Sequence, residues 1–331
     1  MAFQSFSTLG SINLGPLNNV NNKNKIAITK SSLLNWRIVK PTATIKNWHS
    51  ISMSSDGTKI ILCTFNDLLY RSTDSGNTWF TLSTSGSRNW RTVLSSFDGE
   101  TLLGGVYPGF IYRSTDGGIT WGQVGPTMSQ SWGHINNSPN GIRMIACSRG
   151  GGIHTSTNSG ANWIPSGAGT RSWTSVAISD DGTKIFGGTD GQGIFFSLNS
   201  GSSWSQVFNS ATMGAFYTMS IFNGGNGLIT GSSSVYMTTN TSNLSTVGLS
   251  QVTILPTNGD WRASVSSTDG TYLAVGDFGT NSNGIYISNN SGSSWSQQIS
   301  TKNYKHLQMS ASSNCNVICS CIYGGDVFIG N

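Results

Sequence analysis

Hydrophobic and polar residues alternate along this chain in short runs that return at a regular interval. Residues 48–54 alternate as in a half-buried strand. Asp56 and Gly57 follow and favour the positive φ angles of a tight hairpin turn. Three further runs complete the unit, at residues 59–64, 69–72 and 78–82. We therefore predict a unit of four antiparallel strands, here lettered A to D.

Tryptophan residues mark the repeats of this unit. Most strand A runs open on a tryptophan, and in the first four units a second one follows 31 residues later. The pairs are Trp48 and Trp79, Trp90 and Trp121, Trp132 and Trp163, Trp173 and Trp204, and the wider pair Trp261 and Trp295. Weaker starts near Tyr217 and Tyr304 give starts near 48, 90, 132, 173, 217, 261 and 304. This period predicts an all-β fold, a seven-bladed β-propeller with four-stranded antiparallel blades.

The two ends of the repeat array predict how the ring closes. The last unit stops after its strand C, whereas Trp36 lies twelve residues before the first unit, where a strand D is expected. We expect the strand around Trp36 to complete the last blade, because a closed ring leaves no exposed sheet edge. Residues 1–30 are polar and rich in Asn, which predicts an N-terminal arm before a propeller at 31–331.

An eight-residue motif, S-x-D-x-G-x-T-W, occupies the turn between strands C and D. Two copies are complete, and three have Asn in place of Asp. An Asp or Asn side chain can accept turn N–H groups, Gly supplies positive φ, and Trp packs over the hairpin. We interpret these residues as structural: Ser72, Asp74, Gly76, Trp79, Ser114, Asp116, Gly118, Trp121, Asn158, Gly160, Trp163, Asn199, Gly201, Trp204, Asn290, Gly292 and Trp295. A decayed copy lies near residues 239–244.

Over about residues 36–331 the chain resembles the Asp-box, or BNR-repeat, β-propeller family, which includes sialidases and photosystem II assembly propellers. The resemblance implies that the motifs lie at the blade periphery and are structural. A sialidase would also need an arginine triad and a Tyr–Glu pair, but Glu100, the one glutamate, lies in an A–B turn. The sequence therefore favours a non-catalytic member. An inverting hydrolase that uses a loop aspartate pair remains the alternative, with candidates Asp67, Asp190, Asp260, Asp277 and Asp326.

The five cysteines predict structural thiols rather than a metal site. Cys63, Cys147 and Cys321 align with Gly105, Gly188 and Gly276, which indicates a crowded slot for a small residue. His49 and His306 lie near strand A starts. No phosphate-binding loop, nucleophile elbow or zinc motif occurs in the sequence. We predict no catalytic residue, no metal and no cofactor.

The distribution of charge indicates which face of the predicted propeller binds a partner. Charged residues make up 9% of the chain, and the net charge is +5. The loops between strands D and A and between B and C carry an excess of Lys and Arg over Asp. We predict that this face binds a partner through Trp48, Trp90, Arg91, Trp132, Arg149, Arg171, Trp173, Trp261, Arg262, Tyr304 and Lys305. The alternative is that these tryptophans pack between blades and that their Arg neighbours are solvated.

Arginine and aromatic side chains around a concave mouth favour an acidic protein surface or an anionic glycan. The excess of positive charge is small for a surface that binds nucleic acid. We expect a non-catalytic interaction or scaffold propeller, in an assembly for which the Asn- and Ser-rich composition suits a viral component. The alternatives are a lectin-like propeller and a sialidase-like glycoside hydrolase. No Sec signal peptide or apolar stretch of membrane-spanning length is apparent, which favours an intracellular or virion-associated protein of unidentified compartment.

Overall fold

The computed structural model describes residues 34–126, 128–209, 214–222, 224–239, 248–257, 259–279, 283–299 and 304–331. The predicted N-terminal arm and most of the decayed motif lie outside the described residues. Within them, β-strands are joined by turns, with a short 3-10 helix at Ser83–Ser85 and no α-helix. The all-β prediction is confirmed. No helix of the described chain has the length and apolar character needed to cross a bilayer.

The strands pair as antiparallel meanders of four. In all but the last meander each strand lies beside the next one in the chain. Three meanders are separate sheets. The first comprises β6 (Trp90–Ser95), β7 (Leu102–Val106), β8 (Ile111–Ser114) and β9 (Gly122–Val124). The second comprises β18 (Phe216–Phe222), β19 (Asn226–Gly231), β20 (Val235–Thr239) and β21 (Gly248–Gln251). The third comprises β22 (Trp261–Ser266), β23 (Leu273–Asp277), β24 (Ile285–Ser288) and β25 (Ser296–Ile299).

Two larger sheets each join a pair of meanders. One contains β10 (Trp132–Asn137), β11 (Met144–Gly151), β12 (Ile153–Ser156), β13 (Ile164–Pro165), β14 (Arg171–Ile178), β15 (Ile185–Thr189), β16 (Ile194–Ser197) and β17 (Ser205–Phe208). The other contains β1 (Trp36–Val39), β2 (Lys46–Met53), β3 (Ile60–Thr64), β4 (Leu69–Ser72), β5 (Phe80–Leu82), β26 (His306–Ala311), β27 (Ile318–Gly325) and β28 (Val327–Gly330). Arg149 opposite Ser172 joins the first pair, and Lys46 opposite Gly325 joins the second.

The first described strand completes the last meander, as predicted. β1 pairs with β28 from Trp36 opposite Gly330 to Val39 opposite Val327. Asn35 and Asn331 extend this ladder by exchanging N–H···O bonds of 2.9 and 3.3 Å. Early and late segments of the chain are therefore held in one sheet.

The registers correct two details of the predicted repeat. Strand β5 begins at Phe80 rather than at residue 78, because Thr78 belongs to the turn and its N–H binds Asp74. The last inner strand begins at His306, which opposes Ile322 as Trp48 opposes Thr64. The start assigned near Tyr304 was wrong by two residues, since His306 fills the tryptophan position and Lys305 does not follow it.

The core lies between successive meanders. One apolar cluster combines Ile61, Cys63 and Leu69 of the β2 meander with Trp90 and Val93 of the next. Burial of such side chains contributes about 25 cal/mol for each Å² removed from water. The small-residue slot is confirmed, because each of the three predicted cysteines is fully buried in the same register as its glycine counterparts.

Hydroxyl side chains connect the first strands of neighbouring meanders, here called the inner strands. Ser50 Oγ accepts the N–H of Val93 at 3.0 Å, and Ser52 Oγ accepts that of Ser95 at 2.9 Å. Thr92 Oγ1 accepts the N–H of Ile135 at 3.2 Å. Edge N–H groups left by one sheet are thus satisfied by the side chains of its neighbour.

Candidate functional site

Each inner strand carries a register shift directly after the residue at its tryptophan position. A shift of this kind, a β-bulge, leaves one residue out of the ladder and redirects its side chain. The bulge residues are His49, Arg91, Gly133, Thr174, Tyr217, Arg262 and Leu307. All of them line one cavity of about 50 Å³, here called the basic mouth, together with Arg149. The repeated bulge therefore brings distant parts of the chain to one place.

Three arginines meet at the basic mouth. Burial lowers the pKa of Arg91, and the positive charges of Arg149 and Arg262 lower it further. Mutual repulsion of this kind costs free energy that a bound anion would relieve. The cluster is therefore suited to a negatively charged ligand.

His49 holds Arg91 in place. Nη1 of Arg91 lies 2.7 Å from Nδ1 of His49, so the neutral imidazole accepts the bond from the guanidinium. Burial, and then the charge of Arg91, lower the pKa of His49 to about 4. The histidine thus remains uncharged at neutral pH and adds no positive charge of its own.

The three arginines differ in how far their charge is already compensated. Arg262 donates from Nε to Asp260 at 2.9 Å and lies between Phe278 and Tyr217, with its Cζ 3.9 and 4.4 Å from the ring centroids. Among the described residues, neither Arg91 nor Arg149 forms an ion pair with a carboxylate. These two guanidinium groups are the cations available to a ligand.

Aromatic residues border the mouth on one side. Phe65 stacks on His49 at 3.9 Å, and Tyr323 approaches the same imidazole at 5.7 Å. Phe65 and Tyr323 are each 37% exposed, and Tyr323 also contacts Phe278 at 6.1 Å. A ligand at the arginines would therefore meet apolar surface beside the charge.

The predicted binding tryptophans do not reach this surface. Their side chains, at Trp48, Trp90, Trp132, Trp173 and Trp261, are at most 1% exposed. The prediction that they contact a partner is not supported, because they pack between the sheets, which is the alternative interpretation of the same residues. Trp132 even donates from Nε1 to the carbonyl of Gly109 in the preceding meander, at 3.1 Å.

Other predicted residues lie apart from the cavity lining. Arg171 stacks over Phe195 at 4.4 Å and donates to the carbonyl of Ala168. Tyr304 packs on Phe328 at 4.7 Å, and Lys305 lies 5.6 Å from the centroid of the Phe278 ring. Of the predicted set, Arg91, Arg149 and Arg262 line the mouth.

Sequence reasoning missed Phe65, Phe278 and Tyr323. They occupy one repeat position, two residues after the buried small-residue slot, where the inner hairpin opens into a loop. An aromatic residue recurring at a loop start was the available signal. Charge does not mark this position of the repeat, because its aromatic residues are neutral.

The candidate catalytic carboxylates make local contacts. Asp67 accepts bonds from Lys46 at 2.6 Å and from the Tyr70 hydroxyl at 2.9 Å. Asp277 is buried and accepts backbone N–H groups from Asp260 and Gly279, each at 2.8 Å. Glu100 binds Lys59 at 2.5 Å. Among the described residues, no group of three His, Cys, Asp or Glu side chains is placed to hold a metal ion.

The repeated turns between strands C and D show the expected local bonding. Asp74 accepts the Thr78 N–H at 2.8 Å and its hydroxyl at 2.6 Å, while Ser72 Oγ accepts the Gly76 N–H at 2.8 Å. These bonds, first from the Thr78 hydroxyl, lower the pKa of Asp74 to about 2. Asn158 accepts the equivalent N–H at 2.9 Å, so either residue type closes the turn.

Comparison with solved structures shows a β-propeller fold. A structure described as YCF48 bound to D1 peptide superposes with a TM-score of 0.69 at 15% identity, covering 92% of this chain and 99% of that one. YCF48 from Cyanidioschyzon merolae gives 0.70 at 16% identity, covering 89% and 98%. The GH74 enzyme of Niastella koreensis gives 0.68 at 14% identity, covering 88% of this chain but 53% of its own. No protein-family model matches the sequence, and no curated protein does.

Proposed function

We propose that this protein is a non-catalytic, seven-bladed Asp-box propeller that binds an acidic segment of a partner protein at the basic mouth. The observation that carries the proposal is the pair of guanidinium groups without a carboxylate partner, Arg91 and Arg149, in one cavity. Burial, and then the charges of Arg149 and Arg262, lower the pKa of Arg91 there. Protein interaction is further supported by the structural neighbour described as bound to a D1 peptide. The proposed number of seven blades is supported by the seven inner strands whose bulge residues line this cavity.

The shape of the mouth favours a narrow ligand. A cavity of about 50 Å³ admits a single side chain or chain end rather than a flat protein surface. Phe65 and Tyr323 beside it offer apolar contact to residues flanking the acid. We therefore expect a peptide in which an acidic group lies next to apolar residues.

The test uses fluorescein-labelled peptides of one length, with Glu-Phe repeats or matched Gln-Phe repeats, measured by fluorescence anisotropy. We expect the Glu peptide to bind more tightly, and binding to weaken as salt increases. Replacing both arginines, Arg91→Gln with Arg149→Gln, removes charge-assisted bonds worth about 1.5–3 kcal/mol each, so affinity should fall by at least tenfold. Arg171→Gln is the matched control, since Arg171 carries the same charge outside the cavity lining.

Equal binding of the two peptides would overturn the proposal, as would a double variant that binds as well as the unmodified protein. A sulfated glycan measured in the same assay tests the alternative that the mouth binds an anionic glycan. Glycan binding without Glu-peptide binding would replace the protein partner with a carbohydrate.

A further inference from the structure

Two side chains close the space between the inner strands. The third residue of an inner strand, counted from its tryptophan position, is small in most meanders, as with Ser50, Thr92 and Ser175. His134 and Gln308 are the long exceptions, and their Nε2 atoms meet at 3.3 Å. In other meanders the hydroxyl at this position accepts an N–H of the next inner strand. In His134 the Nδ1 atom does the same, accepting the N–H of Val176 at 3.4 Å.

His134 and Gln308 line two cavities, one on each side of their contact. The basic mouth lies on one side. The other cavity, here called the hydroxyl chamber, has a volume of about 240 Å³ and extends to the A–B turns at Ser55, Phe97 and Thr268. The contact therefore separates two spaces of different chemistry.

The hydroxyl chamber is uncharged. None of the described residues that line it is Lys, Arg, Asp or Glu. Burial lowers the pKa of His134 to about 4, so this side chain is neutral at physiological pH. An ion entering the chamber would lose its hydration without gaining a counter-charge, which strongly disfavours charged ligands.

Serine hydroxyls and apolar side chains together line the chamber. Ser52 and Ser310 each accept a backbone N–H, from Ser95 at 2.9 Å and from Met53 at 3.1 Å, which leaves each hydroxyl hydrogen for another acceptor. Ser220 Oγ is buried and has no hydrogen-bond partner among the described residues. A buried polar atom without a partner costs about 1–3 kcal/mol, and a ligand oxygen would recover this.

We propose that the hydroxyl chamber is a second binding site, for a small uncharged molecule rich in oxygen acceptors, of the polyol class. Hydroxyl groups of such a ligand accept from Ser220, Ser52 and Ser310, and its C–H groups contact apolar lining residues such as Met219 and Met309. The site is separate from the basic mouth and does not depend on the function proposed there.

The experiment is saturation-transfer NMR on the full chain with sorbitol as the probe and sorbitol 6-phosphate as the charged counterpart. Direct contact must be measured, because polyols also stabilise proteins by exclusion from their surfaces. We expect saturable transfer to sorbitol. We expect at least tenfold weaker binding of the phosphate when it is measured in the Arg91→Gln and Arg149→Gln double variant, which lacks the charges of the basic mouth.

The repeat itself supplies variants that preserve the fold. The fifth inner-strand residue is serine at 52, 220 and 310, but Leu94 and Val265 occupy that position in two other meanders. Ser220→Leu and Ser310→Val place residues that this protein already uses there. Together they should weaken sorbitol binding by about tenfold or more through lost hydrogen bonds and volume. Thr81→Phe adds bulk on the exposed strand β5 and should leave binding unchanged.

The Arg91→Gln and Arg149→Gln double variant should still bind sorbitol, which keeps the two proposals separable. Absence of saturable transfer to sorbitol would overturn the second site and show a chamber filled by water alone. Sorbitol binding that survives both chamber substitutions would place the polyol elsewhere and overturn it equally.

Discussion

Proline substitutions in β1 test whether this strand closes the ring. Asn35 and Asn331 exchange both of their backbone bonds, so they form a hydrogen-bonded pair of the antiparallel ladder. Such pairs alternate along two antiparallel strands. Arg37 and Ile329 are therefore the next hydrogen-bonded pair, whereas Ile38 and Phe328 are not. The N–H of Ile38 therefore points away from β28, and among the described residues no strand pairs with that side of β1.

The expected magnitudes follow from this alternation. Arg37→Pro removes a ladder bond and leaves the Ile329 carbonyl without its partner, at a cost of about 2–4 kcal/mol in the free energy of unfolding. Ile38→Pro loses no ladder bond, and its side chain is 50% exposed, so we expect less than about 1 kcal/mol. Strand geometry also suits the residue before each proline.

The assay is urea unfolding followed by circular dichroism, with alanine controls at both positions. Arg37→Ala is essential, because this guanidinium donates to the carbonyl of Ser75. Subtracting the loss of unfolding free energy of the alanine variant from that of the proline variant at the same position isolates the backbone effect. Equal proline penalties at 37 and 38, or none at either, would refute the pairing of β1 with β28.

Further predictions concern the core, the turns, the thiols and the mouth. Trp132→Ala should cost about 3–5 kcal/mol in urea unfolding, whereas Trp132→Phe should cost clearly less, since Phe216 fills the same position elsewhere. The folded pKa of Asp74 is lowered from 3.8 to about 2, so its stabilisation is complete above pH 4 and is lost as the pH falls towards 2. Asp74→Asn should remove that part of the acid dependence, as acid titration by circular dichroism would show. Burial raises the pKa of Cys63 far above its usual range, so iodoacetamide should label it at pH 8 only after unfolding, as mass spectrometry can measure. Because the pKa of His49 is about 4, the protein's contribution to Glu-peptide affinity should stay nearly constant from pH 8 to pH 5.5 in the anisotropy assay.

The fold was predictable because its signals are local and repeated. Asp56-Gly57 and the Ser72 to Trp79 motif each fix a turn by contacts within a few residues, and recurrence in register then implies parallel roles. The register of the last inner strand was not predictable in the same way. His306 replaces the marker tryptophan, and Tyr304, two residues earlier, resembles it more closely in sequence.

The site was predictable only in part. Arg91, Arg149 and Arg262 could be placed on one face by counting strands, but the bulge that directs Arg91 and Arg262 inwards has no sequence marker. In the sequence, the neighbouring tryptophans cannot be distinguished from aromatic residues that bind a partner. In the structure, their side chains are buried between the sheets. Whether an aromatic residue binds or packs depends on side-chain direction, which a bulge changes and composition does not reveal.

The ladder between Asn35 and Asn331 has a consequence for rearranging the chain. Backbone groups on these two residues lie within 2.9 Å of each other, so a short Gly-Ser linker can bridge residues 331 and 34 without straining the sheet. New ends could then be opened at an exposed turn such as Asp98 and Gly99, giving a circular permutant of residues 34–331. In that permutant β1 would follow β28 directly, and the β6 meander would instead be the one built from strands at the two ends of the chain.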